Sequence, residues 1–176
     1  MKRLFFAALA VAAVFSSCTI LDVDDPLDPG GTTPPPSSGY SGTISVDSTW
    51  QGAGSVFRVV GDLTITGNGT DMVWGRKIEV VLDEDVQIYV QGGARLLIEE
   101  GVKVTAGRGA YLSIGEASSG ALTINGSDSL PVRMGAATGV DYWGYSSGQR
   151  SGAIWLGSNT AASTKMVWCV IDKPTT

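Results

Sequence analysis

Beyond Gly42 the chain breaks into short runs in which apolar residues alternate with polar or aromatic ones. They include Leu63-Thr64-Ile65, Val86-Gln87-Ile88-Tyr89-Val90, Leu96-Leu97-Ile98, Val102-Lys103-Val104, Leu112-Ser113-Ile114 and Leu122-Thr123-Ile124. Val132-Arg133-Met134, Ile154-Trp155-Leu156 and Val167-Trp168-Cys169-Val170-Ile171 follow. A period of two sends successive side chains to opposite faces, so each run predicts a strand with one buried face. Gly, Asn or Asp ends most runs. No stretch beyond Gly42 has a 3.6-residue apolar stripe with caps, which predicts an all-β fold with almost no helix.

The spacing of the runs narrows the architecture. They recur roughly every 8 to 12 residues, and similar environments return after about 16 to 22. An antiparallel β-sandwich and a parallel β-helix both fit that rhythm. Asn68-Gly69 and Asn125-Gly126 are dipeptides that suit tight hairpins, which keeps the sandwich as the alternative.

The stretch VQIYVQGGARLLIEEGVKVTAGRGAYLSIGEASSGALTINGSDSLPVRM resembles right-handed parallel β-helix proteins of the pectin-lyase-like type. Leu96, Ile98, Gly101, Val102 and Val104 match their L-x-I-x-x-G-V-x-V pattern, and Gly107, Gly109, Leu112 and Ile114 continue it. Looser matches are Ala121–Gly126, Pro131-Val132 and Gly152–Trp155, so the likeness covers roughly residues 60–171. It implies a short right-handed parallel β-helix, a single solenoid, over residues 43–172. One coil of such a fold cannot bury its own apolar face, so neighbouring coils must do it. The chain stops at Asp172-Lys173-Pro174-Thr175-Thr176, directly after an apolar run with nothing that resembles a cap. The expectation is a piece of a longer protein; the alternative is a last coil that docks on a partner.

The N-terminal residues read differently. Met1-Lys2-Arg3 is basic, and Leu4–Phe15 is an apolar run of 12 residues. A permanent span needs about 20 residues, so this run predicts a secretory signal over residues 1–17. Ser16-Ser17-Cys18 resembles the lipobox of bacterial lipoproteins, although Phe15 stands where Leu is usual. The resemblance implies acylation of Cys18 and a stable membrane anchor, since several chains hold where one does not. Thr19 in place of Asp implies the outer membrane. Residues 18–42 carry Asp22, Asp24, Asp25, Asp28 and a Pro34-Pro35-Pro36 run, which predicts a disordered tether. Its acidic residues resemble the surface-export signals of some lipoproteins; a solvated spacer is the plainer reading.

Composition then excludes more than it assigns. Glycine numbers 24, roughly double the usual share of about 7%, consistent with many tight turns. Net charge is −5 and no basic cluster occurs, which argues against nucleic acid. There is no histidine, so the usual general base, catalytic triad and commonest metal ligand are missing. No cofactor or metal is expected. Enzymes on the fold named above often act on acidic polysaccharides. Hydrolysis needs two carboxylates set across a sugar bond, and calcium needs 6–8 oxygens. Asp83-Glu84-Asp85 is the best acidic cluster, but VVLDEDV reads as a polar turn. Asp71, Glu99, Glu100, Glu116, Asp128 and Asp141 are scattered. Arg95, Lys103 and Arg108 are the bases an eliminating enzyme would draw on, with nothing to single one out. Cys169 alternates with Val167 and Ile171 and reads as a small buried hydrophobe.

Aromatic residues supply the binding candidates. Tyr142, Trp143 and Tyr145 form a glycine-flanked loop, DYWGY. Trp155 and Trp168 take the outward middle positions of their runs if Ile154/Leu156 and Val167/Cys169 face in. Such rings suit sugar faces. The leading expectation is a non-catalytic, lipid-anchored protein of the bacterial outer membrane or cell surface, binding a glycan or surface protein or serving as scaffold. A fragment of a polysaccharide lyase or hydrolase is the alternative.

Overall fold

A computed structural model describes residues 39–147 and 150–174, without the side chains of residues 145–152. The expected signal, tether and Cys18 lie outside these residues, apart from Gly39–Gly42. Strand pairing starts at Tyr40, ahead of the boundary expected at residue 43. Every element among the described residues is a strand.

Tyr40–Ile44 (β1) and Ser48–Trp50 (β2) lead into the ten-residue Val56–Ile65 (β3). Asp71–Trp74 (β4), Glu79–Leu82 (β5) and Gln87–Val90 (β6) come next, then Ala94–Glu99 (β7), Lys103–Ala106 (β8) and Tyr111–Ile114 (β9). Gly120–Asn125 (β10) and Val132–Ala136 (β11) precede a short hairpin, Tyr145–Ser147 (β12) and Arg150–Gly152 (β13). Ile154–Leu156 (β14), Lys165–Val167 (β15) and Cys169–Asp172 (β16) complete the order.

These strands line up in three ladders. The first runs from the second half of β3 through β6 and β9 to β14. The second runs from the first half of β3 through β5, β8 and β11 to β16. The third is β2-β4-β7-β10-β15. The first two meet at β3, which makes them one nine-stranded sheet with β1 against β3. Every pair in these ladders is parallel, and the β12–β13 hairpin is the antiparallel exception. The antiparallel sandwich therefore does not occur. Asn68-Gly69 and Asn125-Gly126 lie at corners between ladders rather than in hairpins.

The chain visits the ladders in the order three, two, one and then returns. Met72 and Leu96, Val80 and Val104, and Ile88 and Leu112 are paired residues, each 24 apart. That return is longer than the 16 to 22 residues expected, because each circuit includes three strands and three corners. Alternation within each strand then places like on like. Met72, Leu96 and Leu122 follow one another in register, as do Trp74, Ile98 and Ile124, and all are fully buried. Burying each such side chain contributes about 1.5–3 kcal/mol. Ion pairs run along the outside in the same register: Arg95 Nε–Asp71 Oδ1 at 3.0 Å and Lys103 Nζ–Glu79 Oε1 at 2.8 Å.

Corners need backbone shapes that most residues resist. Gly101, between β7 and β8, has φ +72°, a left-handed turn that glycine adopts without strain. Trp168 adopts φ +49° and divides the run Val167–Ile171 into β15 and β16, where one strand was expected. One end of the ladders is filled by rings. Trp50 stacks on Trp74 at 5.8 Å and on Phe57 at 5.1 Å, and Tyr40 tilts against Trp50 at 4.6 Å.

Candidate functional site

On the first ladder, Ile88, Val90, Leu112 and Ile114 point into the core. The residues between them face the other way. Thr64, Tyr89, Ser113 and Trp155 fall in one register row, and Gln87 and Tyr111 pair one place along. Strands lie about 4.8 Å apart, so Tyr89 and Trp155, two rungs apart, are separated by roughly 10 Å with Ser113 between them.

Hydrogen bonds fix this face. The Tyr111 hydroxyl donates to Gln87 Oε1 at 2.8 Å, and the Tyr89 hydroxyl donates to the same oxygen. The Gln87 backbone N–H donates to Asp62 Oδ1 at 3.0 Å. Ser113 Oγ donates to Glu116 Oε2 at 2.8 Å. Ser113 and Tyr111 are buried, whereas Tyr89, Gln87, Glu116 and Trp155 are half-buried. The result is a half-buried set of ring faces and polar edges on strands, Tyr89, Gln87 and Trp155, with the buried Tyr111 behind them and the Glu116 carboxylate at the corner after β9.

The five aromatic residues expected to bind are dispersed. Trp155 lies on this face. Tyr142 is at the corner between ladders two and one, exposed, with the Arg108 guanidinium 5.8 Å from its ring centroid. Trp143 is fully buried, a correction to its expected role as a binding surface. Its Nε1 donates to the Asp172 carbonyl at 2.9 Å and its N–H to the Lys173 carbonyl at 3.0 Å, which pins the ring inside the core. The Tyr145 side chain lies outside the described residues. Trp168 is exposed, but at the corner between ladders three and two. Trp155, Tyr142 and Trp168 therefore lie apart, on one ladder and at two different corners.

The charged candidates are paired in several places. Asp83 accepts from Arg58 Nε at 2.7 Å, and with Glu84 and Asp85 forms the turn between β5 and β6. Glu100 pairs with Arg76 and accepts from Ser127 Oγ at 2.9 Å. Lys103 holds the Glu79 carboxyl below its ordinary range, with a further bond from Thr105 Oγ1. Arg95 is taken up by Asp71. Among the described residues no group of three His, Cys, Asp or Glu is placed to hold a metal. No helix among them is long and apolar enough to cross a membrane. Cys169 packs half-buried against the core, and burial pushes its thiol pKa up.

Tyr89, Tyr111 and Gln87 were not singled out from sequence. The signal that would have found them is the 24-residue alignment of VQIYV with AYLSI, which sets Gln87 beside Tyr111 and Tyr89 beside Ser113. Compared with family models, with curated proteins and with solved structures, the chain matches none.

Proposed function

We propose that residues 40–172 form a short right-handed parallel β-helix that serves as a non-catalytic glycan-binding module, displayed from the bacterial outer membrane or cell surface by lipid on Cys18. The 24-residue return from β4–β6 to β7–β9 among parallel ladders supports the β-helix reading. The binding reading rests on one observation: the half-buried Tyr89 and Trp155 share the outer face of one ladder with Gln87, whose amide oxygen the buried Tyr111 hydroxyl holds, beside Glu116 at the adjoining corner. Flat apolar rings with polar edges suit a sugar's C–H face, while an amide and a carboxylate suit its hydroxyls. Placement on strands holds these groups in a fixed spacing, which reduces the ordering cost of binding. The ion-paired carboxylates on the other ladders support a role in holding rungs together.

A glycan array tests the reading, using the protein and its Tyr89→Ala and Trp155→Ala variants. Each variant should keep the far-ultraviolet circular dichroism of the parent and bind its preferred glycan at least about tenfold more weakly, the loss of one aromatic contact. Wild-type protein that binds no glycan, or variants that bind as well as the parent, would end it. Fatty-acid labelling of wild type but not Cys18→Ala tests the anchor separately; an unlabelled wild type removes it.

A further inference from the structure

Val59, Leu82, Ala106 and Ala136 are register partners on four successive circuits. The residues that follow them, Val60, Asp83, Gly107 and Ala137, form a column at the corner where ladder two gives way to ladder one. Backbone bonds run along it: the Asp83 N–H donates to the Val59 carbonyl at 2.9 Å, Gly107 to Leu82 at 2.8 Å and Ala137 to Ala106 at 2.8 Å. Beside this column lies an open hollow of about 560 Å³, lined also by Val81 and Val140, with the Arg58–Asp83 ion pair and Glu84 among its walls. Its middle is bare because Gly107 has no side chain. Val60 is 42% exposed, and Val81, Ala137 and Val140 are half-buried. The described chain enters at the mouth of this hollow. Gly39 lies against Val60, so that a Cβ on it would be 2.5 Å from Val60 Cγ1 and 3.1 Å from the Arg58 carbonyl oxygen. Its φ of +77° is a left-handed turn that glycine makes without strain.

We propose that this hollow is the docking site of the chain's own proline run, Pro34-Pro35-Pro36, which precedes Gly39 by two serines. Length favours that occupant. The column spans three strand spacings, roughly 14 Å at about 4.8 Å each. Residues 34–38, extended as a polyproline helix at ~3.1 Å per residue, cover about 15 Å. Chemistry favours it too. Proline rings present apolar faces to valine methyls, and proline has no N–H that needs a ladder partner, so the run can cross the strands instead of joining them. Residues 33–38 carry no charge, whereas Asp22, Asp24, Asp25 and Asp28 further upstream would be repelled by Glu84. The run is also joined to the domain, and its high local concentration lets a small contact hold where a separate molecule would need a larger one. Docked this way, the free part of the N-terminal segment starts near Thr33, beside Ala137 and Val140, and not at Gly39. The contact needs neither the lipid nor a glycan.

Solution NMR of the full chain in detergent tests this. Nuclear Overhauser cross peaks should join the Pro36 ring to the Val60 methyls, and the Pro34 and Pro35 rings to the methyls of Val81 and Ala137. Val140→Asp places a carboxylate in the hollow, where burial without a partner is unfavourable, and should abolish the cross peaks to Val81 and Ala137. Val60→Asp, at the other end, should do the same and decides the matter if Val140→Asp fails to fold. Val46→Asp changes an exposed apolar residue between β1 and β2, away from this corner, and should leave every cross peak in place. A wild type with no cross peak from these prolines to the hollow overturns the proposal. So do cross peaks that survive both aspartates in the hollow, or that Val46→Asp abolishes equally. Cross peaks found only between copies, in a mixture of labelled and unlabelled chain, would put a second copy in the hollow and overturn it as well.

Discussion

Gly107→Ala measures how closely successive circuits approach at a corner. Gly107 follows β8, and its N–H donates to the Leu82 carbonyl at 2.8 Å. A Cβ there would lie 2.7 Å from Glu84 N and 2.9 Å from both Asp83 C and Glu84 Cα, all of them backbone atoms. Ordinary contact begins near 3.4 Å, so the Asp83–Glu84 backbone must retreat by about half an ångström or more. Overpacking of this kind costs about 1–3 kcal/mol. The retreat also strains the Gly107–Leu82 bond and the neighbouring Asp85 N–H to Arg108 carbonyl bond of 2.8 Å, adding about 1 kcal/mol. The expected loss is about 2–4 kcal/mol, or 1–2 M in urea midpoint for a slope near 2 kcal/mol/M. Gly135→Ala is the matched control. Its Cβ would meet Asp172 Cβ at 3.6 Å, an ordinary contact, and neither glycine is in the left-handed region. There the substitution should be neutral or stabilise by up to about 1 kcal/mol, through the unfolded chain. Urea titration followed by tryptophan fluorescence reads both. Equal midpoints for the two variants, or a Gly107→Ala midpoint at wild type, would refute the corner geometry.

Glu79→Gln should cost less than about 1 kcal/mol at pH 7, since the Lys103 pair is largely exposed. The folded pKa of Glu79 is lowered, so its contribution is present above the ordinary 4.5 and is lost as pH falls through the folded value. Urea midpoints of wild type and variant should converge over that acidic range; a gap that widens there would refute the pairing. Cys169, in a Cys18→Ala background, should react with iodoacetamide more slowly than a free peptide thiol at pH 8, because burial raises its pKa above 9.0. A peptide-like rate would contradict that burial.

Strand positions were readable where both inward residues are aliphatic and the residue between is polar. Leu112-Ser113-Ile114 and Leu122-Thr123-Ile124 show this, and their inward residues are fully buried. The pattern blurs in β4 and β5, where outward Val73 and Val81 interrupt the polar beat. β1 hides for the opposite reason, since only its terminal Tyr40 and Ile44 are sheltered. Trp143 was misplaced because position at a corner is not local. Trp143 is drawn inside by carbonyls 29 and 30 residues further on, at Asp172 and Lys173. Trp168 lies outside because its own backbone turns left-handed. The face carrying Tyr89 and Tyr111 needed the correct return length, and the irregular corners after β9 mask it.

The constant return of 24 residues in the middle of the molecule has an evolutionary corollary. Copying one such unit within the gene, say the codons for residues 79–102, would insert a full circuit whose every side chain finds the same kind of neighbour. Inserting an odd number of residues within a strand would instead turn its oily positions toward water over the remainder of that strand. Length added outside the strands, by contrast, is absorbed at corners, as the 42-residue return from β9 to β14 shows.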